Sequence, residues 1–234
     1  MLHLQSVLPG LRPGIALDIG TRFGEFAGSL SEVMPEGSRI IAIDRDPDVI
    51  AKAREKTSDR RIEFQVGDAC HLDFADDSVE VAAISNTLHH LENYGAVLDE
   101  MLRVLTPGGL LLVNEMFQDE QNAAQQTHVL QHTLEAELDM ISGGYQRPTW
   151  KRAELISILD RLPLSDVNIV EMYEEPEMDQ KLAAKNKKLT ELVEQKAAGH
   201  PQLNALRSQA EAIQKRCAQV GIQRCTQLVY FGRK

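Results

Sequence analysis

Apolar runs bounded by turn residues alternate with segments of helical periodicity from Ile15 to about Val170. Such runs are typical of buried parallel strands, and the segments between them are typical of crossover helices. We therefore predict an α/β fold, a seven-stranded, mostly parallel sheet with helices on both faces. The predicted strands are residues 15–19, 39–44, 61–66, 79–85, 109–115, 166–173 and 226–231. The predicted helices are residues 24–34, 47–57, 94–105, 119–141 and 151–162, with Pro47 suited to a first helical turn.

A long segment from Glu175 to Gly221 separates the last two predicted strands. Its apolar residues follow three- and four-residue steps, and Gly199-His200-Pro201 breaks the pattern, which predicts a helical hairpin. The apolar positions are Met178, Leu182, Leu189, Leu192 and Val193 in the first arm and Leu203, Leu206, Ala210, Ile213, Cys217 and Val220 in the second. We expect a body of residues 1–174 and 222–234 with an insertion of residues 175–221. The hairpin could be a self-packed pair, a homodimerisation element or a lid.

Composition narrows the classes of partner. The net charge is −10, which disfavours a nucleic-acid surface because such surfaces carry basic residues that contact phosphates. Three cysteines, Cys70, Cys217 and Cys225, lack metal-binding spacing, so reduced thiols in a cytoplasmic protein are expected. No apolar run is long enough to span a membrane, and residues 1–12 lack the features of a signal peptide. We expect a soluble protein that acts on a small molecule or a protein.

A glycine-bearing turn follows the first predicted strand, and Asp44 closes the second. Gly20 permits positive φ and close approach of a ligand to the backbone, while Gly24 lets the next helix lie near its strand. An acid about twenty residues further on can accept the hydroxyl groups of a ribose. The turn lacks the third glycine of dinucleotide-binding spacing, and Asp18 within it would repel a pyrophosphate and suit an ammonium group.

The pattern Asp18-x-Gly20-x-x-x-Gly24 followed by Asp44 resembles motif I and the second-strand acid of class I S-adenosylmethionine-dependent methyltransferases. The resemblance implies a Rossmann-like fold and S-adenosylmethionine as cofactor. It also implies that the Asp18 turn holds the methionine end of the cofactor and that Asp44 holds the ribose.

Thr21, Arg22 and Arg45 are expected beside these residues in the same cofactor cradle. The family often has a glycine where this chain has Arg22. The arginine side chain must therefore point out of the cradle or contact the cofactor or a substrate carboxylate.

Two further blocks support the resemblance. Asp68 and Ala69 follow the third predicted strand after Gly67, where an acid is ordinary turn chemistry but where family members contact adenine. The sequence from Phe74 to Gly109 resembles the fourth and fifth strands of small-molecule methyltransferases, with a Leu-His-His-Leu turn and an Arg-Val-Leu-x-Pro-Gly-Gly turn. Ser85 and Asn86 end the fourth predicted strand, and we expect them to line the methyl-transfer pocket.

His89 and His90 are candidates for a general base, because a neutral imidazole titrates near the working pH. The alternative is that one packs in the interior and the other lies on a surface turn. Methyl transfer does not always need a strong base, since the sulfonium leaving group is already activated and alignment of the reacting atoms is the main task.

The predicted helix after Glu115 places His128, His132, Glu135 and Asp139 on one stripe. The stripe could face solvent, line a substrate pocket or hold a metal, and we expect no metal. Tyr145, Arg147 and Trp150 follow in a loop that reaches the substrate in similar methyltransferases. An aromatic ring there could favour the sulfonium and Arg147 could bind an acidic substrate, or Tyr145 and Trp150 could anchor the loop.

These features predict a methyltransferase that acts on a small-molecule acceptor by in-line methyl transfer. One rival is a binding or assembly protein that retains the fold without turnover. A second rival is a nicotinamide oxidoreductase, which would share Asp44 but should show the missing third glycine. The sequence leaves the acceptor open, because one fold serves many acceptors.

Overall fold

The computed structural model describes Leu4 and residues 10–173 and 179–234. The strands are β1 Ile15–Ile19, β2 Arg39–Asp44, β3 Ile62–Val66, β4 Val79–Ser85, β5 Leu105–Met116, β6 Ser165–Met172 and β7 Gln227–Arg233. The helices are α1 Glu25–Val33, α2 Pro47–Lys56, α3 Tyr94–Val104, α4 Ala123–Ile141, α5 Arg152–Leu159, α6 Gln180–Lys187, α7 Leu189–Lys196 and α8 Leu203–Val220. A 3₁₀ turn covers Leu88–His90.

The strands form one sheet in the order β3-β2-β1-β4-β5-β7-β6. The pairs from β3 to β5 are parallel, and β7 runs antiparallel between β5 and β6. Helices join β1 to β2, β2 to β3 and β4 to β5, because the end of one parallel strand and the start of the next lie at opposite edges of the sheet. A loop without a helix joins β3 to β4. The predicted seven-stranded Rossmann-like fold is confirmed.

Alternation along β1 divides the interior into two apolar layers. Ala16 points into the layer that holds α1 and α2, whereas Leu17 points into the layer that holds α3 and α5. Successive strand residues face opposite sides of a sheet, so a central strand covered on both sides is apolar throughout. This is why the strands were visible in the sequence as continuous apolar runs.

Most predicted boundaries agree with the structure within a few residues. Helix α2 begins at Pro47, with Asp46 as its N-cap accepting the N–H groups of Asp48 and Val49. The start of β5 was predicted at Gly109, but the strand begins at Leu105, directly after α3. The Pro-Gly-Gly segment therefore lies inside β5, where pairing with β4 shifts register and Gly108 has φ +79°. A bulge accommodates it there.

The segment before the last strand is helical, as predicted, but it is not a simple hairpin. Its first arm is broken at Lys188 into α6 and α7, and its second arm is α8. The predicted contact residue Met178 lies outside the described residues. Both arms pack on α4, where Leu134 and Leu138 join one buried cluster with Leu189, Val193, Ala197, Leu206, Ala210 and Ile213.

The apolar face of α4 and the apolar faces of the insertion thus cover one another within one chain. Division of the chain into a body and an insertion, and the suggested homodimer and lid, remain predictions. The thiols of Cys70, Cys217 and Cys225 are all free. None of the described helices has the length and apolar character needed to cross a bilayer.

The contact between α8 and α4 gives a stability prediction. Ile213 is 3% exposed in this cluster, so Ile213→Ala should lower the free energy of unfolding by about 2–5 kcal/mol through lost burial and a cavity. Val220→Ala is the control from the same helix, since Val220 is 41% exposed and should cost no more than about 0.5 kcal/mol. Urea unfolding monitored by circular dichroism measures both. Equal effects of the two substitutions would contradict the packing described.

Candidate functional site

The carboxyl ends of the parallel strands lie side by side at one edge of the sheet. Ile19 is level with Ile43 on β2 and Ile84 on β4, and Asp44 is level with Val66 on β3. The predicted cofactor residues therefore share this edge. They are Asp18, Gly20, Thr21, Arg22 and Gly24 from β1 and its turn, Asp44 and Arg45 from β2, Asp68 and Ala69 after β3, and Ser85 and Asn86 from β4. We call this set the carboxyl-edge cradle.

Gly20 is required by a neighbouring side chain. Its φ is +69°, and a β-carbon there would lie 2.2 Å from Cγ2 of Thr87. The Thr87 hydroxyl donates to the Gly20 carbonyl at 3.2 Å, and the Gly20 and Thr21 N–H groups both donate to the Ile43 carbonyl. We predicted positive φ at Gly20, which is confirmed, and close approach of a ligand, and the contact with Thr87 is a further constraint that the sequence did not indicate.

Gly24 is also constrained by packing. Its φ is +82° at the N-cap of α1, and a β-carbon would lie 2.6 Å from the Phe64 ring on β3. We predicted that Gly24 lets α1 approach its own strand. The close neighbour is instead a ring two strands away in the sheet.

Asp18 is a buried carboxyl group without full compensation. It is 1% exposed, and neither its Oδ2 atom nor the Thr21 hydroxyl has a hydrogen-bond partner among the described residues. Burial raises the pKa of Asp18 to about 7, and repulsion by Asp44 adds to this, while the Thr21 side chain and the Ala27 N–H oppose it. A buried oxygen with an unused lone pair suits a cationic or hydrogen-bond-donating ligand.

Asp44 is held in place and retains acceptor capacity. Its Oδ2 accepts the Arg22 N–H at 3.0 Å, and its Oδ1 accepts the Asp46 N–H at 3.1 Å. Each carboxylate oxygen keeps a second lone pair, so both can accept another hydrogen bond. The side chain is only half-buried, so a ligand can reach it.

Arg22 adopts φ +52°, which explains why glycine is common at this position. Its backbone N–H group donates to Asp44, so it is the backbone of Arg22 that connects the turn to the end of β2. The side chain is exposed, and its guanidinium carbon lies 5.2 Å from the centre of the Phe23 ring. The charges of Arg22 and of the exposed Arg45 contribute to lowering the pKa of His90, whose first cause is desolvation, so both guanidinium groups lie near that end of the cradle.

The other cradle residues make mainly local contacts. Asp68 accepts the Cys70 N–H at 2.9 Å in an ordinary turn and remains exposed. Ala69 packs against the layer beneath it. The Ser85 hydroxyl accepts the Asn114 amide at 2.9 Å, and the Asn86 side chain accepts the Met116 N–H at 3.1 Å. Both strand-end side chains are thus fixed to β5.

His89 lies in the interior, paired with a carboxylate that the sequence argument missed. Its Nδ1 atom is 2.7 Å from Oε1 of Glu115, and both side chains are almost fully buried. The second Glu115 oxygen accepts the Leu88 N–H at 3.0 Å. Glu115 thereby fixes the 3₁₀ turn and the orientation of the His89 ring.

His132 brings α4 to the same turn. Its Nε2 atom lies 3.1 Å from Nε2 of His89 and 3.1 Å from Nε2 of Gln146. His90 stacks beside His89 with ring centres 4.2 Å apart. Burial first, and then repulsion from neighbouring positive groups, lowers the pKa of His132 to about 2.

The remainder of the predicted α4 stripe diverges from His132. His128 accepts the Cys225 N–H at 3.1 Å through Nδ1, and burial lowers its pKa to about 4. Glu135 pairs with Lys185, and Asp139 pairs with Lys196, both from the insertion. The stripe is covered by α6, α7 and the segment just before β7, and it does not form one four-residue site.

The loop after α4 is anchored from inside. Trp150 is 2% exposed and meets the Tyr94 ring edge-on at 5.7 Å, in agreement with the anchoring alternative. The Arg147 guanidinium lies 4.5 Å from the Trp150 ring centre, and the backbone N–H of Arg147 donates to the His89 carbonyl. Tyr145 is half-buried beside Gln146, which is buried. The loop therefore lies against the 3₁₀ turn Leu88–His90, which we call the histidine turn.

Three residues that organise this region escaped the sequence argument: Thr87, Glu115 and Gln146. Glu115 carried a usable signal, since an ionisable residue near the end of a continuous apolar strand needs a buried partner. Thr87 and Gln146 carried none, because their importance arises from contacts with distant parts of the chain.

Known proteins resemble the part of the chain that contains the carboxyl-edge cradle. Residues 17–113 match the family model described as a methyltransferase domain. An arsenite methyltransferase of Halobacterium salinarum is 34% identical over 113 residues, 46% of this chain and 29% of that protein. A demethylmenaquinone methyltransferase of Deinococcus radiodurans is 35% identical over 105 residues, 44% of this chain and 43% of that protein. The similarity thus spans less than half of either relative.

Solved structures match more of the fold at lower identity. Phosphoethanolamine N-methyltransferase 2 of Haemonchus contortus, in complex with S-adenosyl-L-methionine, has a TM-score of 0.60 at 17% identity. The match covers 99% of this chain and 51% of that one. A SAM-dependent methyltransferase of Aquifex aeolicus has a TM-score of 0.52 at 21% identity, over 70% of this chain and 79% of that one. At these identities the likeness establishes the fold.

Burial of Asp18 predicts a pH-dependent stability difference in the free protein. The folded-state pKa of Asp18 is about 7 against an ordinary 3.8, so the cost of ionising it in the fold accumulates as pH rises from about 4 to about 7. Asp18→Asn removes that cost. The variant should gain nothing near pH 4 and gain up to about 4 kcal/mol near pH 8.

Urea unfolding at several pH values, with exposed Asp99→Asn as control, measures this gain. A difference between Asp18→Asn and wild type that is constant with pH would contradict the account.

Proposed function

We propose that this chain, which carries a class I methyltransferase domain at residues 17–113, transfers the methyl group of S-adenosylmethionine to a small-molecule acceptor. S-adenosylmethionine is the cofactor of this domain family. When bound, it supplies an electrophilic methyl group on a sulfonium centre. The activity and acceptor class of the whole protein are our inference.

The observation that carries the proposal is the buried Oδ2 atom of Asp18, which has no hydrogen-bond partner among the described residues. It lies at the carboxyl edge of β1, where open α/β sheets bind ligands. The α-ammonium group of the cofactor would supply both the positive charge and the hydrogen-bond donors that Asp18 lacks. Because a protonated Asp18 has no charge to pair, cofactor affinity should weaken as pH falls below about 7.

The rest of the carboxyl-edge cradle supports an ordered set of roles. We assign the methionine end to the Gly20 to Gly24 turn with Thr21, and the ribose to Asp44, whose two oxygens each retain a lone pair. We assign adenine to Asp68 and Ala69 at the next strand end. Arg22 contributes its backbone N–H, which binds Asp44, and the exposed side chains of Arg22 and Arg45 lie at the rim of the cradle.

Alignment is the expected main source of rate. Ser85 and Asn86 are held by β5, so the border between cofactor and acceptor is rigid. Preorganised positioning lets a nucleophile attack the methyl carbon opposite the sulfur without costly rearrangement. His89 is turned toward Glu115, and burial lowers the pKa of His90, so neither histidine is assigned a role in proton transfer.

The acceptor is proposed to bind beside the histidine turn and the loop after α4, which contact each other. His132, Tyr145 and Arg147 approach this region, and His128 lies one helical turn away against Cys225. Arg147 can bind an anionic group with the N–H edge of its guanidinium while the face remains stacked on Trp150. An acceptor with an acidic group is therefore favoured.

Calorimetric titration with S-adenosylmethionine and with its demethylated product tests the proposal. Wild type should bind both, and Asp44→Ala should bind about 10- to 100-fold more weakly, because two charge-assisted hydrogen bonds to the ribose are lost. Asp99→Ala, which removes an exposed acid on α3, should bind as wild type does. Failure of wild type to bind either compound would overturn the proposal.

A further inference from the structure

Three imidazole rings converge next to the carboxyl-edge cradle. His89 and His90 come from the 3₁₀ turn after β4, and His132 comes from the middle of α4. One ligand atom from each of the three lies within 4.8 Å of those from the other two. The ring centres of His89 and His132 are 4.7 Å apart and nearly perpendicular. Two of these residues are adjacent in sequence and the third is more than forty residues away, so the cluster is made by the fold.

The hydrogen-bonding capacity of the cluster is unbalanced. Nδ1 of His89 faces a Glu115 oxygen at 2.7 Å, which places the proton there and leaves Nε2 with a lone pair. That lone pair points at Nε2 of His132, which also faces the Gln146 amide nitrogen. With its proton on Nδ1, which has no hydrogen-bond partner among the described residues, His132 presents its Nε2 lone pair to that of His89. The Gln146 amide must then bind elsewhere, because one lone pair does not accept an N–H group and bind an ion at once. A cation between them satisfies both.

The distances suit a first-row divalent metal. Zinc binds imidazole nitrogen at about 2.0–2.1 Å, so two nitrogens of one tetrahedral site lie roughly 3.3 Å apart. The 3.1 Å between the Nε2 atoms of His89 and His132 is close to this value. His90 is exposed on a short turn, so rotation of its ring can bring a nitrogen to the same ion.

The surroundings supply what metal-binding histidines require. A buried carboxylate that accepts the other ring N–H orients the ligand and raises its basicity, and Glu115 does this for His89. His132 lies in the middle of α4, so the helix fixes the position of its ring relative to His89.

We propose that His89, His90 and His132 form a binding site for one divalent transition-metal ion of the zinc class. His89 and His132 bind through Nε2, and Glu115 positions His89 from behind. Three protein ligands leave one position for water or for an oxygen or sulfur ligand, as in catalytic rather than structural zinc sites. This proposal departs from our expectation of no metal, and it does not depend on the proposed methyl transfer.

Cobalt titration of the full chain without an affinity tag tests the site. After treatment with a chelator, wild type should bind one equivalent of Co²⁺ with the intense visible absorption of four-coordinate cobalt, and Zn²⁺ should displace it. His90→Ala removes an exposed ligand and His132→Ala a half-buried one, and each should weaken binding at least about 100-fold. Glu115→Gln should weaken it about 10- to 100-fold.

Controls separate this site from other sources of affinity. His200→Ala, in the connection between α7 and α8, should bind cobalt as wild type does. Circular dichroism of His90→Ala establishes that loss of binding is not loss of fold. Absence of saturable binding by wild type, or equal binding by wild type and His90→Ala, would overturn the proposal. A near-ultraviolet thiolate-to-cobalt band would also overturn it, by placing the metal on a cysteine such as Cys225 beside His128.

Discussion

The parallel register of β3, β2, β1, β4 and β5 constrains the rest of the molecule. Because these strands run in the same direction and end at the same edge, every chain segment that leaves a strand does so beside the others. Polar groups that would be scattered along the sequence are therefore collected within one row. The two apolar layers hold this register, since a slip of β1 by one residue would move each of its side chains to the opposite face of the sheet.

Two buried carboxyl groups at this edge differ in whether the protein itself supplies hydrogen-bond partners for both oxygens. Glu115 is satisfied within the protein, because His89 and the Leu88 N–H use both of its oxygens. Asp18 keeps one oxygen without a partner and has a raised pKa. The first arrangement shapes the histidine turn, and the second leaves affinity for a ligand. Stability is given up at Asp18 where binding is expected, as is common at functional sites.

The sequence was most informative where chemistry and local geometry coincide. The strands, the start of a helix at Pro47 and the acidic positions at the strand ends follow from apolar runs and turn residues, and the structure agrees. The reason for Gly20 was incomplete, because the side chain that needs it, Thr87, is sixty-seven residues away. The same limit hid the partnership of His132 with His89, and it made the α4 stripe look like a single site. Sequence periodicity assigns residues to a helix face but does not show what covers that face.

The central claim is that the Asp18 carboxyl group awaits a positively charged group of S-adenosylmethionine. The most direct measurement is the number of protons released on cofactor binding, obtained by calorimetry at pH 6 in buffers of different ionisation enthalpy. Asp18 is mostly protonated there in the free protein and must ionise to pair with the ammonium. The account predicts release of close to one proton by wild type and none by Asp18→Asn. Binding by wild type without proton release would contradict it.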